Sequence, residues 1–240
     1  DNIIRCFIYS PLVLIISIVI SYILLIPIKG EKKIIIQFAN VFSNCGFIGF
    51  PIVFSIYGNE GVIYASIFNL FFTAFLWTYG VILFNGKMKR EDIKKVLLNP
   101  AIVAVFIGLI IMIFGFDIPS VLSSTLDLVG NMTSPLSMII VGVILGNAKI
   151  ISYLKDKTIY YSAFLKLIIM PCILILISRL LKDTSLVIKT LIIVTAMPAA
   201  AMTSILAESF DKESEYSAVI VFITTLFSVI TFPILLNFIL

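Results

Sequence analysis

The sequence predicts an all-α polytopic membrane protein, and three observations carry that prediction. Hydrophobic residues make up 61% of the 240-residue chain and charged residues 12%, against roughly half and about a quarter in a soluble globule. The apolar residues gather in continuous runs of about twenty, the length a helix needs to cross a bilayer, and not in the alternating segments of about ten that mark a transmembrane barrel. Two of the runs are interrupted at matching depths by helix-breaking stretches, Asn44-Cys45-Gly46-Phe47-Ile48-Gly49-Phe50-Pro51 and Thr195-Ala196-Met197-Pro198-Ala199-Ala200-Ala201-Met202-Thr203. Lipid cannot satisfy the backbone groups that such breaks release, so they are tolerated where they line a cavity or are buried in protein.

Eight spans follow from the runs, at roughly 6–28, 34–57, 61–85, 99–115, 121–147, 158–181, 186–208 and 214–240. The first has a core longer than the roughly 7–15 apolar residues of a signal peptide and no small-residue cleavage site after it. The second carries Gln37, Asn40 and Asn44 on one helical face, with Ser43 beside them, and that face ends at Gly46, Gly49 and Pro51. Pro51 lacks an N–H and crowds the preceding turn, so the helix is expected to unwind around Phe47. Its second half would then begin at the midplane, with exposed N–H groups suited to a carboxylate. The third span follows the turn Gly58-Asn59-Glu60, and its Asn69 and Thr73 read as interhelical hydrogen-bonding groups.

The fourth span begins at Asn99-Pro100. The fifth holds Asp127 one turn before Asn131, followed by Thr133, Ser134 and Pro135, and the sixth places Lys166 deep in the membrane. Ionisable groups at such depth are functional candidates. Asp127 and Asn131 are therefore candidates for a coupling proton or sodium, and Lys166 for pairing with Asp127 or with an anionic substrate. The seventh span is interrupted at Pro198, with Thr195 and Thr203 at the margins of the break. Cys6, Cys45 and Cys172 share no ligand spacing and are expected to be small buried apolar side chains.

Basic residues concentrate in loops that stay in the cytoplasm. The connections 29–33, 86–95 and 148–157 are rich in lysine, and Lys212 lies in the last turn on that side. The opposite connections at 58–60 and 115–120 carry no Lys or Arg, and that at 180–185 carries Lys182 with Arg179 beside it. Both ends of the chain are thus expected outside a plasma membrane, and the basic loops need no nucleic-acid partner.

A shift of 152 positions lays spans one to three on spans six to eight without a gap, so that Gly46 faces Pro198, Tyr9 faces Tyr161 and the turn at Gly58 faces that at Phe210. Five crossings separate the copies, so they enter from opposite faces, which is an inverted repeat with its site at the midplane. The division is a partial first repeat over 1–85, a basic cytoplasmic linker over 86–98 and a second repeat of five spans over 99–240. Because the first copy shows three spans and the chain opens on Asp1, two further spans are expected before it, for ten in all.

No phosphate-binding loop, metal-ligand cluster or nucleophile-base set occurs, and no histidine is present, so no enzyme and no cofactor is expected. A coupling proton would have to use a carboxylate. The predicted function is a secondary transporter of a small organic anion, with Asn44, Gly46, Gly49, Pro51, Thr195, Pro198 and Thr203 at the substrate site. The alternative is a membrane-embedded sensor of the same fold that does not transport. A homodimer is left open.

The stretch from Phe38 to Pro51, with its Asn-x-Gly-Phe-x-Gly-x-Pro pattern, the run Met132-Thr133-Ser134-Pro135-Leu136 leading to Gly142 and Gly146, and Ala196-Met197-Pro198 together resemble the auxin efflux carrier family, bacterial branch. The resemblance spans essentially the whole chain. It implies two inverted five-helix units related to the bile acid and sodium symporters, a scaffold part and a transport part, and two broken helices that cross. It also implies a small organic anion as substrate, with Asn44 and Pro51 at one crossover and Pro198 at the other. Ala196 stands where an asparagine would make the second crossover symmetric, and a dicarboxylate is the expected cargo rather than auxin.

Overall fold

A computed structural model describes residues 2–86, 114–132 and 153–239, with isolated positions from 103 to 111 and from 135 to 146 between them. The linker beyond Gly86, Asn99 with Pro100, and Thr133 and Ser134 lie outside the described residues. Every element found is helical. In chain order they are α1 (Asn2–Leu24), α2 (Glu31–Val41), a π-helical turn at Cys45–Gly49, α3 (Phe50–Phe75), a second π-turn at Leu76–Gly80 and α4 (Val81–Asn85). After these come α5 (Ser120–Asn131), α6 (Lys157–Phe164), a third π-turn at Leu165–Ile169, α7 (Met170–Leu180), α8 (Leu186–Ala196), α9 (Met202–Ser209) and α10 (Ser214–Ile239).

Among the described residues, four helical stretches are long and apolar enough to cross a membrane: Asn2–Leu24, Cys45–Asn85, Lys157–Leu180 and Ser214–Ile239. The second of these is two predicted spans joined at Gly58, which sits at φ 62 and ψ −152, a conformation that only glycine adopts readily. The expected turn at 58–60 is there. Gly61 just beyond it has no room for a side chain, because a Cβ would stand 2.7 Å from both Val53 and Tyr57.

The packing is that of a protein whose solvent is lipid. Large apolar side chains such as Ile4 and Tyr22 on α1 and Val229 and Ile230 on α10 lie on the exposed surface, while Ser10, Ser17 and Ser21 of α1 are buried. Small residues inside let helix backbones approach closely, which is how helices associate where apolar burial offers no driving force. Cys6 and Cys45 are buried as expected, but Cys172 is exposed, on the apolar outer face of α7.

Each end of the bundle is held by its own contacts. Lys32 pairs with Asp156 at 2.6 Å and Lys212 with Glu31 at 2.8 Å, joining three of the connections that the lysine pattern puts on one side. At the other end Tyr9 Oη donates to Asp183 Oδ2 at 3.0 Å. Tyr161, which the 152-residue shift superposes on Tyr9, donates to the Leu24 carbonyl at 2.8 Å, so each tyrosine reaches into the other copy.

Candidate functional site at the helix crossing

Helix α2 stops at Val41, and Phe42 is extended (φ −98, ψ 104). Helix α8 stops at Ala196, and Met197 is extended (φ −64, ψ 154). The two short extended pieces meet as an antiparallel bridge between Ser43 and Ala199. The Asn44 N–H donates to the Pro198 carbonyl at 2.7 Å, and the Ala200 N–H donates to the Phe42 carbonyl at 2.9 Å. Side chains close the remaining positions. Ser43 Oγ donates to the Thr195 carbonyl at 2.9 Å, and the Ala199 N–H donates to Thr224 Oγ1 of α10 at 3.2 Å. An unpaired backbone group inside a membrane costs several kcal/mol. Here backbone groups at Phe42, Asn44, Pro198 and Ala200 are satisfied across the two breaks, so the two interruptions depend on each other.

The first break lies one turn earlier than Pro51 predicts. The chain leaves the helix at Phe42–Asn44 and re-enters it through the π-turn Cys45–Gly49, with Asn44 as the N-cap: its Oδ1 accepts the Phe47 N–H at 3.2 Å. Pro51 then falls in the first turn of α3, a position where a missing N–H is tolerated. Gly49 is where the two broken helices touch, since a Cβ there would lie 3.4 Å from Met197 and 3.6 Å from Val194. Gly46 and Pro51 are exposed, and nothing stands within 4 Å of a Cβ at Gly46.

Several polar atoms at the crossing have no partner. Asn44 is 4% exposed, and its Nδ2 makes no hydrogen bond. In the first turn of α9, Thr203 Oγ1 and Ser204 Oγ are buried and equally unpartnered. Thr195 differs from expectation: its hydroxyl is spent on the Leu191 carbonyl of its own helix at 2.7 Å, and its backbone carbonyl is what faces the crossing. Beside the break a cavity of about 250 Å³ opens between Ile48, Met197, Pro198, Thr225, Ser228 and Phe232.

Lys166 enters from a third helix. It sits on the π-turn Leu165–Ile169 and is fully buried. Its Nζ donates to the Asn40 carbonyl at 2.9 Å and to Ser43 Oγ at 2.6 Å. The acceptor is a late carbonyl of the interrupted helix α2, one of the groups that a helix C-terminus leaves unpaired.

A family model described as membrane transport protein matches residues 3–236. The chain belongs to this family, that of the auxin efflux carriers. It is similar to an uncharacterized transporter of Methanocaldococcus jannaschii, with 27% identity over 88% of this chain and 71% of the relative. An uncharacterized transporter of Methanothermobacter thermautotrophicus is 25% identical over 79% of this chain and 63% of its own length. The uncharacterized transporter YfdV of Escherichia coli is 25% identical over 78% of this chain. The chain spans 62% of YfdV, so it covers a little under two thirds of two of these three relatives. Membership puts the chain among membrane transport proteins and not among enzymes.

Of the residues predicted for ion coupling, Lys166 joins the crossing's hydrogen bonds and Asp127 does not. Asp127 is exposed on α5, and Asn131 is the last residue of that helix. The expected pairing of Lys166 with Asp127 does not form, because the ammonium is engaged by Asn40 and Ser43. Ion pairs of the described residues include Lys32–Asp156 and Lys212–Glu31. Two residues of the site were not singled out from the sequence. Ser204 is signalled by its place directly after Thr203, whereas Thr224 looks like any mid-helix threonine until its neighbour is known.

Proposed function

We propose that the protein is a secondary transporter that carries a small organic anion, a carboxylate, by alternating access at the crossing. One observation carries the reading: the Asn44 amide is held in place through Oδ1 while its buried Nδ2 has nothing to donate to. A buried donor without a partner is rare and costs about 1–3 kcal/mol, a cost that a bound carboxylate oxygen removes. The helix restarting at Cys45 and the helix α9 restarting at Met202 both present N-terminal ends here, and such ends attract negative charge. The unpartnered hydroxyls of Thr203 and Ser204 offer further donors to the same ligand.

Because the two broken helices are bonded through Ser43, Asn44, Ala199 and Ala200, they move as one body. Rocking of that body against the rest of the fold opens the site to one side and then the other. The contacts of Tyr9 and Tyr161 support the inverted repeat this motion requires. Asp127, a carboxylate in a chain without histidine, is proposed to take up and release a coupling proton. The test is flux of mono- and dicarboxylates into proteoliposomes of the full-length protein, with and without proton and sodium gradients. Gradient-responsive uptake of a carboxylate is expected. Ligand binding without any flux would assign the chain to the sensors.

A further inference from the structure

We infer that Lys166 is a built-in cation: its ammonium stands where an interrupted-helix transporter would hold a coupling cation, and the protein therefore binds no sodium at the crossing. Interrupted membrane helices hold such ions on unwound carbonyls and on the C-terminal ends of half-helices. Those ends carry about half a negative charge from carbonyls without intrahelical partners. Helix α2 provides such an end. Of its last carbonyls, Phe38 O accepts the Phe42 N–H at 2.8 Å, and Asn40 O accepts Lys166 Nζ at 2.9 Å.

Both hydrogen-bond partners of Nζ are oxygens, as a cation site requires. Ser43 Oγ lies at 2.6 Å, and because its own hydrogen goes to the Thr195 carbonyl, it can only accept from the lysine. Asn40 has a second oxygen, Oδ1, buried and without a hydrogen-bond partner, while its Nδ2 is anchored on Ser21. A fully buried ammonium is ordinarily matched by a carboxylate, yet both hydrogen-bond partners of Lys166 are neutral oxygens. The helix end and the released carbonyls supply the negative potential instead. The π-turn adds a residue to the helical turn at Leu165–Ile169, a distortion frequent at functional sites. Through Ser43 the ammonium ties both broken helices together, which is what a shared cation does at such a crossing. Only the consequence for coupling rests on the transport reading; the cation site itself does not.

The experiment is thermal unfolding of the purified full-length protein in sodium chloride and in choline chloride at equal ionic strength, for the parent, Lys166→Ala and Lys166→Ser. The parent is expected to unfold at the same temperature in both salts. Each variant, with the ammonium gone and its oxygens released, is expected to be weakened in choline and rescued saturably by sodium. The rescue amounts to about 3–6 °C once sodium exceeds its dissociation constant about tenfold. Sodium-specific stabilisation of the parent would overturn the inference, and so would identical unfolding of both variants in the two salts. If Lys166→Ala does not fold, the parent and Lys166→Ser still decide. Uptake plays no part in this readout, so failure here leaves the anion site at Asn44 standing, and loss of that site leaves this result standing.

Discussion

Replacing Asn44 by aspartate separates the two roles of this side chain. Oδ1 caps the restarting helix by accepting the Phe47 N–H at 3.2 Å, and Nδ2 is the buried donor without a partner. Aspartate keeps the acceptor and adds negative charge at a helix N-terminus, which is favourable by about 0.3–1 kcal/mol, but it buries that charge at a position that is 4% exposed, which costs several kcal/mol. The variant should therefore fold but unfold at a lower temperature than the parent. The donor is lost. A hydrogen bond to a charged ligand contributes about 1.5–3 kcal/mol, and two carboxylates about 4 Å apart repel by about 4 kcal/mol at the effective dielectric of a protein site. Together these weaken carboxylate binding by more than about a thousandfold. Asn44→Ala makes the contrast, since it loses the cap, worth about 0.5–2 kcal/mol, as well as the donor. The assay is carboxylate uptake into proteoliposomes beside the unfolding temperature of each variant. A folded aspartate variant without uptake is the expected result. Parental uptake by that variant refutes the placement of the anion at Asn44.

Thr224→Val keeps the shape but removes the acceptor for the Ala199 N–H; the orphaned amide should cost about 1–3 kcal/mol, read as a lower unfolding temperature with reduced uptake. Asp127→Asn should leave carboxylate uptake insensitive to an imposed proton gradient, and an equal gradient response in variant and parent rejects Asp127 as the coupling group. At the membrane edge, burial pushes the Asp156 carboxyl up. Its hydrogen bond from Lys32 and those from the Thr158 side chain and amide outweigh that effect and hold it below the ordinary carboxylate range. Because its folded value lies below the unfolded one, its contribution is complete above about pH 4 and is lost as the pH falls through the folded value. Asp156→Asn should thus lower the unfolding temperature at neutral pH by the few tenths to about 1 kcal/mol typical of a partly exposed pair, with the gap to the parent closing in acid.

The sequence made legible whatever depends on local chemistry. Apolar runs marked α1, α3, α7 and α10, and Gly58 marked the turn inside 45–85 because its backbone conformation excludes other residues. The paired interruptions were visible because proline and glycine stand out in runs of isoleucine and leucine. What depended on a partner across the structure stayed hidden. The first break falls at Phe42–Asn44, ahead of the Pro51 that announces it, because the pairing with Pro198 and Ala200 decides where the chain leaves the helix. The role of Thr195 passes from its hydroxyl to its carbonyl for the same reason, since the hydroxyl has a nearer acceptor in its own helix. Lys166 was visible as a charge in the membrane, but its engagement with the end of α2 was not, because residues 126 positions apart in sequence make that contact.

The most direct measurement is an electron cryomicroscopy structure of the full-length protein in lipid with a transported carboxylate bound. Ligand density is expected between the two interrupted helices, with a carboxylate oxygen in hydrogen-bond reach of Asn44 Nδ2. Density bound elsewhere, with the Asn44 amide still unpartnered, contradicts it.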